Sequence, residues 1–484
     1  MSQTIIDGGT VITMNQDRQI ISDGAIVIED DIILDVGESS RISSEYDAEN
    51  YFDAKDHAIL PGFISTHVHV SGILLRGLGN YRNLYDWLLN VKRPGTSVMT
   101  PDEQATAAAL YAKEALQSGI TTFVENATGS VEGYSTETIE KKLDVYNKAG
   151  VRNIYAYAFA DRQPARESIK SAKLSALREP EVNHVIPDET VADTESALST
   201  IETLIEKYHG ASEGRQSIWP APYMTEIVTP EGLQGAYRLA KKYDIMTTTH
   251  AAEDEFNQQL LRVSGIEYLR NAGYLGDHTL LGHCVLANES DIRMMAATNT
   301  KVANNMLANL ALGEGIAPVP RMQQAGITVG IGTDNVPNSD TVNMLKDIEY
   351  AALVQKGVRQ DAGAVTAEKA LEMATIDGAK AIGREDELGS IEPKKLADIV
   401  LIDLDQTHMH PRHYLPSAIV YQTQGYEVDT VFCNGDIVMQ NREVEGISDR
   451  FGDIESRATA SAASIIRKAG LEKIKNRSWT SSTN

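Results

Sequence analysis

The chain begins with short apolar runs that are closed by glycine, aspartate or asparagine. Residues 10–14, 24–28 and 31–37 are rich in valine and isoleucine, and turn-forming residues separate them. This pattern predicts antiparallel strands joined by tight turns. A similar pattern returns at residues 397–402 and 429–438. Because a lone sheet of three strands is only marginally stable, we expect the two chain ends to combine in one small β-sandwich.

Between the two ends, apolar strands alternate with segments of helix-forming residues. Predicted strands lie at residues 60–70, 120–124, 151–159, 217–222, 245–249, 279–283, 301–304 and 327–334. Alternation of strands and helices is typical of an α/β fold with a parallel sheet. The eight strands predict a (β/α)8 TIM barrel, in which the active site lies at the carboxyl ends of the strands.

These patterns divide the chain into three parts. We predict a composite β-sandwich from residues 1–56 and 390–450, a metal-dependent barrel at 57–389 and a C-terminal helical segment at 451–484. The polar stretch 161–215 is longer than an ordinary loop, so we expect it to form a lid or a subunit contact.

Composition narrows the class of protein. The 484 residues carry a formal net charge of −24, which disfavours binding to nucleic acid and to acidic membrane surfaces. The chain lacks an apolar run of membrane-spanning length and a recognisable signal peptide, so we expect a soluble, cytoplasmic protein. Cys284 and Cys433 are too few for a disulfide framework, and we interpret them as buried thiols.

The candidate chemistry lies at the ends of the predicted barrel strands. The side-chain period of two places His67 and His69 on one face of the first strand. A lone His-x-His is more often a pair of polar residues than a metal site. However, His250, His283 and Asp334 also follow predicted strands and should face the same rim. We therefore expect His67, His69, His250 and Asp334 to hold one divalent metal, with a position open for water.

Three residues then have natural catalytic roles. Water on such a metal has its pKa lowered towards ~7, and Asp334 is placed to take its proton. We assign His283 to orienting the attacking hydroxide and stabilising the developing negative charge. Glu253, three residues after His250, can carry a proton to the substrate. The alternative for Glu253 is a solvated glutamate in the first turn of a helix, where the helix dipole favours it.

Other polar and aromatic residues are assigned by position. Tyr85, Trp87, Asn126 and Asn309 are candidate substrate contacts, although aromatic residues at strand ends often serve only in packing. The histidine-rich segment 408–413 lies beyond the barrel, and we interpret it as a surface segment.

Several motifs resemble the amidohydrolase superfamily, and in particular its branch of cytosine, guanine and methylthioadenosine deaminases. They are Pro61-Gly62-Phe63-Ile64-Ser65-Thr66-His67-Val68-His69, His250-Ala251-Ala252-Glu253, Gly282-His283-Cys284 and Gly332-Thr333-Asp334-Asn335. Within that branch, segments 82–88, 217–222 and 371–379 resemble the hydroxyatrazine aminohydrolases of s-triazine breakdown. The branch often has a Ser-Asn pair where this chain has Ala308-Asn309.

This resemblance implies one Zn2+ per subunit, with Fe2+ as the other candidate. It also implies a small-molecule N-heterocycle as substrate, release of ammonia or an alkylamine from a ring carbon, protonation of a ring nitrogen by Glu253, and a homodimer or higher homo-oligomer. Three alternatives stay open. The first is a chlorohydrolase of halogenated triazines, and the second is a two-metal cyclic-amide hydrolase, although residues 217–223 lack the lysine that it needs. The third is a barrel without metal or catalysis.

Overall fold

The computed structural model describes residues 3–127, 135–162 and 191–478. Its strands, numbered in chain order, are β1 (Gln3–Ile12), β2 (Ile20–Glu29), β3 (Ile32–Glu38), β4 (Asn50–Asp53), β5 (His57–Pro61), β6 (Phe63–His69), β7 (Ile120–Ala127), β8 (Arg152–Phe159), β9 (Gln216–Pro222), β10 (Thr247–Ala251), β11 (Thr279–His283), β12 (Lys301–Asn304), β13 (Val329–Ile331), β14 (Asp334–Asn335), β15 (Ile399–Asp403), β16 (Val428–Cys433) and β17 (Asp436–Met439).

Helices connect most of these strands. The α-helices are Ser39–Glu45, Leu84–Trp87, Arg93–Thr96, Pro101–Gln117, Thr136–Ala149, Thr194–Tyr208, Pro230–Tyr243, Glu255–Leu261, Gly265–Asn271, Glu289–Ala297, Met306–Leu312, Val319–Gln324, Val336–Ser339, Met344–Arg359, Ala367–Ala374, Ile376–Ala381, Leu415–Gln422, Glu445–Phe451, Ile454–Lys468 and Glu472–Lys475. Short 3-10 turns lie at Ser71–Leu75, Thr225–Ile227 and Thr407–Met409, and a π-helical turn lies at Leu88–Lys92.

Two parallel sheets form the middle of the molecule. One has the order β14-β6-β7-β8-β9 and the other has the order β10-β11-β12-β13. A parallel bridge between Met224 and His250 brings the second sheet beside the end of β9, and β13 contacts β6 at the opposite edges. The predicted α/β class with parallel strands is confirmed. Among the described residues, however, the ladder hydrogen bonds do not close the two sheets into one barrel.

Local sequence explains how helix Pro101–Gln117 begins and how it returns the chain to the sheet. Helix Pro101–Gln117 begins at a capping box, in which the Thr100 hydroxyl accepts from the Glu103 amide at 3.2 Å and the Glu103 carboxylate accepts from the Thr100 amide at 2.8 Å. Its buried face is largely alanine, which allows close packing. The helix ends before Gly119, whose φ of +82° suits the turn into β7.

The predicted first barrel strand is divided in two. Strand β5 ends at Pro61, and Gly62 separates it from β6. A side chain at position 62 would collide with Thr121. Strand β5 pairs with β1 and β15, so it belongs to the sheet of the chain ends, whereas β6 pairs with β7. Residues 57–61, which the sequence places in the barrel, therefore belong to the terminal sheet.

Both chain ends enter that terminal sheet. Its order is β17-β16-β15-β5-β1-β2-β3, and β4 lies beside β1. The union of the two ends agrees with prediction, but a β-sandwich is not confirmed. The physical reason is that β5 pairs on both sides, with β1 and with β15, and so joins the N-terminal and C-terminal strands in one continuous sheet of eight strands.

A buried ion pair connects the terminal sheet to the parallel strands. Arg152 of β8 donates to Asp398 at 3.1 Å and to the Asn434 side-chain oxygen at 2.9 Å. The backbone N–H of Asn434 also donates to Asp398, at 2.9 Å. Burial by itself would raise the pKa of Asp398, but the charge and hydrogen bonds of Arg152 hold it below its ordinary value. We call these three residues the joint.

The described part of the polar stretch 161–215 contains a helix that packs on the fold. Helix Thr194–Tyr208 buries Ala197, Ile201, Leu204 and Ile205, and it packs against β9 and helix Pro230–Tyr243. This segment is therefore an outer helix of the fold rather than a lid, and the alternative of a subunit contact stays a prediction. Residues 163–190, on which the rest of that prediction falls, lie outside the described residues.

The remaining expectations concern the chain terminus, the thiols and the membrane. Helix Ile454–Lys468 packs on helix Pro101–Gln117. Cys284 and Cys433 are both buried and free, as predicted. Within the described ranges, helices of the length and apolarity that a bilayer requires do not occur.

Candidate active site

Four strand ends bring the predicted polar residues to one point. His67 and His69 lie in β6, His250 in β10, His283 at the end of β11 and Asp334 at the start of β14. The ring centroid of His67 lies 5.0 Å from that of His69, 4.8 Å from that of His250 and 5.4 Å from that of His283. All five side chains are buried. The parallel sheets thus collect residues that are up to 267 positions apart in sequence, counted from His67 to Asp334.

The segment that carries Asp334 is fixed against β6. The Ser65 hydroxyl accepts from the Thr333 amide at 3.1 Å, and the Ser65 and Thr333 hydroxyls are also 3.1 Å apart. Gly332 permits this approach, because a β-carbon there would lie 2.9 Å from the His67 carbonyl oxygen. The Gly-Thr-Asp sequence is therefore needed to place the Asp334 carboxylate beside His67.

The backbone is strained at three positions of this rim. His283, Cys284 and Asp334 have φ values of +68°, +52° and +54°. Left-handed backbone outside glycine costs about 1–3 kcal/mol per residue and concentrates at functional sites. Two of the three residues direct side chains to the centre of the site, so the strain is located where precise placement matters.

Two histidines are oriented by backbone carbonyls. Nδ1–H of His69 donates to the Asn126 carbonyl at 2.8 Å, and Nδ1–H of His250 donates to the Tyr223 carbonyl at 2.5 Å. These bonds leave both Nε2 atoms facing inward, 3.0 Å from each other. Such bonds to the outer ring nitrogen fix the tautomer of metal-binding histidines.

The donor set fits a divalent metal. Donor atoms of His67, His69 and His250 lie within 4.8 Å of one another, as do those of His67, His283 and Asp334. Asp334 Oδ1 is 3.6 Å from His67 Nε2 and 3.7 Å from His69 Nε2. Both ring nitrogens of His67 are buried and lack a hydrogen-bond partner among the described residues. Three nitrogen donors and a carboxylate are a common ligand set for zinc.

Burial sets the protonation of this donor set. It lowers the pKa of His67 and His69 well below the usual value and that of His250 to about 4. The imidazoles are therefore neutral at physiological pH, which is the form that binds metals. Burial also raises the pKa of Asp334 to about 7, although the charge of Lys92 opposes this increase.

A second cluster lies beside the histidines and is centred on His283. Glu253 Oε1 is 3.5 Å from His283 Nε2, and Asn305 Nδ2 is 3.2 Å from the same nitrogen. Asn309 Nδ2 is 2.8 Å from His283 Nδ1 and donates to Glu314 at 2.5 Å. His283 is thus held on both ring nitrogens, in contact with a carboxyl group.

Glu253 is not the solvated first-turn glutamate that its spacing allowed. It lies in the segment before helix Glu255–Leu261, and only 2% of the residue is exposed. Burial raises the pKa of Glu253 well above its usual value, and the nearby carboxylates of Glu314 and Asp334 raise it further. A carboxyl group in this environment retains its proton at a higher pH and can act as an acid.

The predicted substrate contacts take different places. Trp87 is fully buried and lines a small cavity together with His69, His250, His283, Glu253 and Asp334. The Tyr85 hydroxyl instead donates to Glu226 at 2.8 Å. Asn126 lies beside the site through its carbonyl oxygen, which accepts from His69, and Asn309 contacts His283.

Several residues of the site escaped sequence reasoning. Lys92 and Tyr223 line the same cavity, while Asn305 and Glu314 contact the His283 cluster. One signal was present for Lys92, since it is the charged residue that ends the otherwise uncharged turn Leu88–Lys92. Glu314 lies between two glycines, and that short pattern gave no indication that the loop turns inward.

The histidine-rich segment 408–413 does not join this site. His408 Nε2 lies 2.6 Å from the Glu427 carboxylate in the C-terminal part of the chain. Among the described residues, the donor groups close enough to share a metal do not include residues 408–413. Its interpretation as a surface segment is consistent with the exposure of His410, Pro411 and His413.

Comparisons with known proteins agree with this geometry. The model of the amidohydrolase family matches residues 58–438. An S-triazine hydrolase of Gordonia rubripertincta is 30% identical, and the match covers 97% of this chain and 98% of the relative. A 5-methylthioadenosine/S-adenosylhomocysteine deaminase of Bacillus thuringiensis is also 30% identical, with coverage of 92% and 96%.

The fold is also shared with solved structures. An atrazine chlorohydrolase from Arthrobacter aurescens TC1, crystallised with zinc, superposes with a TM-score of 0.82 at 23% identity, over 96% of this chain and 100% of that one. This likeness supports the α/β architecture of the chain.

Proposed function

We propose that this chain, which belongs to the amidohydrolase family, is a metal-dependent aminohydrolase. Its relatives are named an S-triazine hydrolase and a 5-methylthioadenosine/S-adenosylhomocysteine deaminase. The reaction is attack of water on a ring carbon of an N-heteroaromatic substrate, with release of ammonia or an alkylamine. The observation that carries this proposal is the buried carboxyl of Glu253, 3.5 Å from His283 and beside the donor set. An amine needs a proton in order to leave, and Glu253 is placed to supply one.

We assign the metal to His67, His69, His250 and Asp334. Their chemistry favours one Zn2+ per chain, with Fe2+ as the other candidate. When bound, such a metal lowers the pKa of water and so supplies a hydroxide nucleophile near neutral pH. The (β/α)8 barrel of the family is the proposed frame, in which the two parallel sheets adjoin at both edges.

The side chains around the donor set carry the proton transfers. The Asp334 carboxylate takes a proton from the attacking water. His283, held through Asn305 and Asn309, orients the nucleophile and stabilises the charge that develops on it. Glu253 protonates a ring nitrogen as the C–O bond forms, and it then carries the proton of the added hydroxyl to the departing amine as the C–N bond breaks. Transfer of the proton held by Asp334 to Glu253 restores both groups. The net reaction consumes one water and yields a ring hydroxyl, or its oxo tautomer, and a free amine.

The relatives support two ring systems for the substrate. One relative is named for hydrolysis of s-triazine and another for deamination of a thioadenosine. We favour a substituted s-triazine or a purine-, pyrimidine- or pterin-like ring with an exocyclic amine. Homo-oligomeric assembly and a cytoplasmic location stay predictions.

Loss of chloride is the second candidate reaction, because a chlorohydrolase of atrazine shares the fold. Chloride leaves without a proton, so that reaction would not need an acid at position 253.

The test is a panel of aminated heterocycles and matched chlorinated triazines, incubated with zinc-loaded enzyme. The panel contains hydroxyatrazine, N-alkyl ammelides, guanine, cytosine, an aminopterin, 5-methylthioadenosine and atrazine. We expect release of ammonia or alkylamine from at least one member, measured by an amine-specific assay. Release of chloride without release of amine from any member would contradict the proposal.

A further inference from the structure

A buried lysine shares the cavity with the proposed metal ligands. Lys92 ends the π-helical turn Leu88–Lys92, and only 2% of it is exposed. Its side chain lines the same cavity as His69, His250 and Asp334. Lysine is seldom buried to this degree, because removing an ammonium group from water is costly. Leucine or methionine would fill the same space without that cost.

Tyr223 fixes the position of the ammonium group relative to the metal ligands. Lys92 Nζ donates to the Tyr223 hydroxyl at 3.1 Å and lies 5.6 Å from the centre of its ring. The Tyr223 ring packs edge-on against His250, with centroids 5.2 Å apart, and its carbonyl oxygen accepts from His250 Nδ1–H. The Tyr223 side chain thus lies between the ammonium group of Lys92 and His250, a proposed metal ligand.

The cavity therefore has two walls of different charge. Glu253 lies against His283 at the end of β11, whereas Lys92 lies against Tyr223 after β9, and β10 separates the two. Beside Lys92, a metal cation would add a second positive charge to the same wall. A ligand that places a negative oxygen on this wall gains a charge-assisted hydrogen bond, while its ring nitrogen can face Glu253.

We propose that Lys92 is a specificity-determining residue that binds a negatively charged oxygen of the substrate. The inference rests on the proposed function and defines its substrate class as N-heterocycles that carry an oxyanion. Two kinds of group supply that oxygen, namely a deprotonated ring hydroxyl and a ring carboxylate. A neutral ring of the same size lacks this interaction and should bind more weakly.

Three variants separate charge from shape. Lys92→Met keeps most of the length of the side chain and removes the charge, and Lys92→Arg keeps the charge. Tyr223→Phe removes the hydroxyl that Lys92 contacts but retains the ammonium and the aromatic ring. Metal content and the thermal midpoint are measured for each variant, so that unfolding or metal loss is recognised.

The experiment measures binding to the zinc-loaded protein by calorimetry, with cyanurate, orotate and melamine as probes. Cyanurate carries a ring oxyanion, orotate carries a carboxylate, and melamine is a neutral ring. We expect Lys92→Met to weaken cyanurate by about tenfold to hundredfold, as for the loss of a hydrogen bond to a charged group, and to change melamine by less than threefold. Lys92→Arg and Tyr223→Phe should keep most of the preference for cyanurate.

The possible results divide cleanly. If Lys92→Met weakens orotate and leaves cyanurate unchanged, the bound oxyanion is a carboxylate rather than a ring oxygen. If it weakens all three probes equally or none of them, the lysine is a packing residue and the inference is overturned. The calorimetric test does not depend on turnover. If the enzyme released no amine from any substrate, the proposed function would be wrong, but the binding data would still show whether Lys92 binds an oxyanion.

Discussion

The rim of the candidate active site carries Glu253 and Asp334, and like the joint it buries carboxyl groups. The two regions shift the pKa of these groups in opposite directions. At the joint, Asp398 is paired with Arg152 and Asn434, and its pKa is held below the ordinary value. At the rim, burial raises the pKa of Glu253 and brings that of Asp334 to about 7.

This contrast separates stability from reactivity. A buried carboxylate with an arginine partner is inert, because its charge is already compensated. A buried carboxyl group without such a partner can hold or give up a proton near neutral pH, or can bind a metal. The two regions should therefore respond differently when one carboxylate is neutralised.

Replacement of the acid at the rim should give the largest effect. Glu253→Gln is expected to lower kcat by about 10²–10⁴-fold, because the amide cannot transfer the proton. Metal content and the thermal midpoint should stay near those of the wild type, since glutamine has a similar shape. The readout is amine release on the best substrate of the panel.

Asp347→Asn is a matched control for this change. Asp347 is also a buried carboxyl whose pKa burial raises, but it does not line the cavity. We expect its kcat to stay within about threefold of the wild type. A fully metallated Glu253→Gln enzyme with normal kcat would show that this glutamate transfers no proton.

Replacement of the carboxylate at the joint should act on folding instead. Asp398→Asn leaves Arg152 buried without its counter-charge, so we expect the free energy of unfolding to fall by about 3–5 kcal/mol. Denaturant unfolding measures this change, while kcat per folded, metal-loaded molecule should not change.

The double variant Arg152→Met, Asp398→Leu removes both charges and should recover most of the lost stability, since apolar pairs often replace buried ion pairs without penalty. If Asp398→Asn lost less than about 1 kcal/mol, or lost kcat before stability, the distinction between the two regions would be wrong.

The sequence predicted the parts of the site that lie on strands. His67, His69, His250, His283 and Asp334 follow strand ends, and the carboxyl ends of parallel strands meet at one edge. Their convergence therefore depends on a regular geometry that hydrophobic periodicity reveals. Strand bounds at residues 279–283 and 301–304 agree with the structure for the same reason.

The parts that escaped prediction depend on contacts between distant segments. Lys92 and Glu314 lie in connections that turn inward, and nothing in their local sequence fixes that direction. The division at Pro61 and Gly62 depends on pairing of β5 with β15, which lies more than 300 residues away. Local pattern similarly favoured a sandwich, because it cannot show that β5 joins the two groups of strands into one sheet.

The pH dependence of the metal-free protein gives a smaller effect of known sign. The pKa of Asp334 is about 7 in the fold, above its value of ~3.9 in an unfolded chain. Its contribution to stability is therefore full below pH ~4 and is lost as the pH rises towards 7. Thermal unfolding of metal-free protein should show this loss, and Asp334→Asn should reduce it. The pKa of Asp398 is shifted downward, so its contribution is present at neutral pH and is lost only in acid. If the stability of the metal-free wild type and of Asp334→Asn depended equally on pH, the assignment of this loss of stability to Asp334 would be wrong.

Titration of metal-free protein with zinc tests the central claim most directly, when amine release and bound metal are measured on the same sample. We assign one metal to His67, His69, His250 and Asp334, so activity should rise linearly and reach a plateau at one zinc per chain. Full amine release without metal, or a plateau that requires two metals per chain, would contradict a single catalytic metal at the histidine cluster.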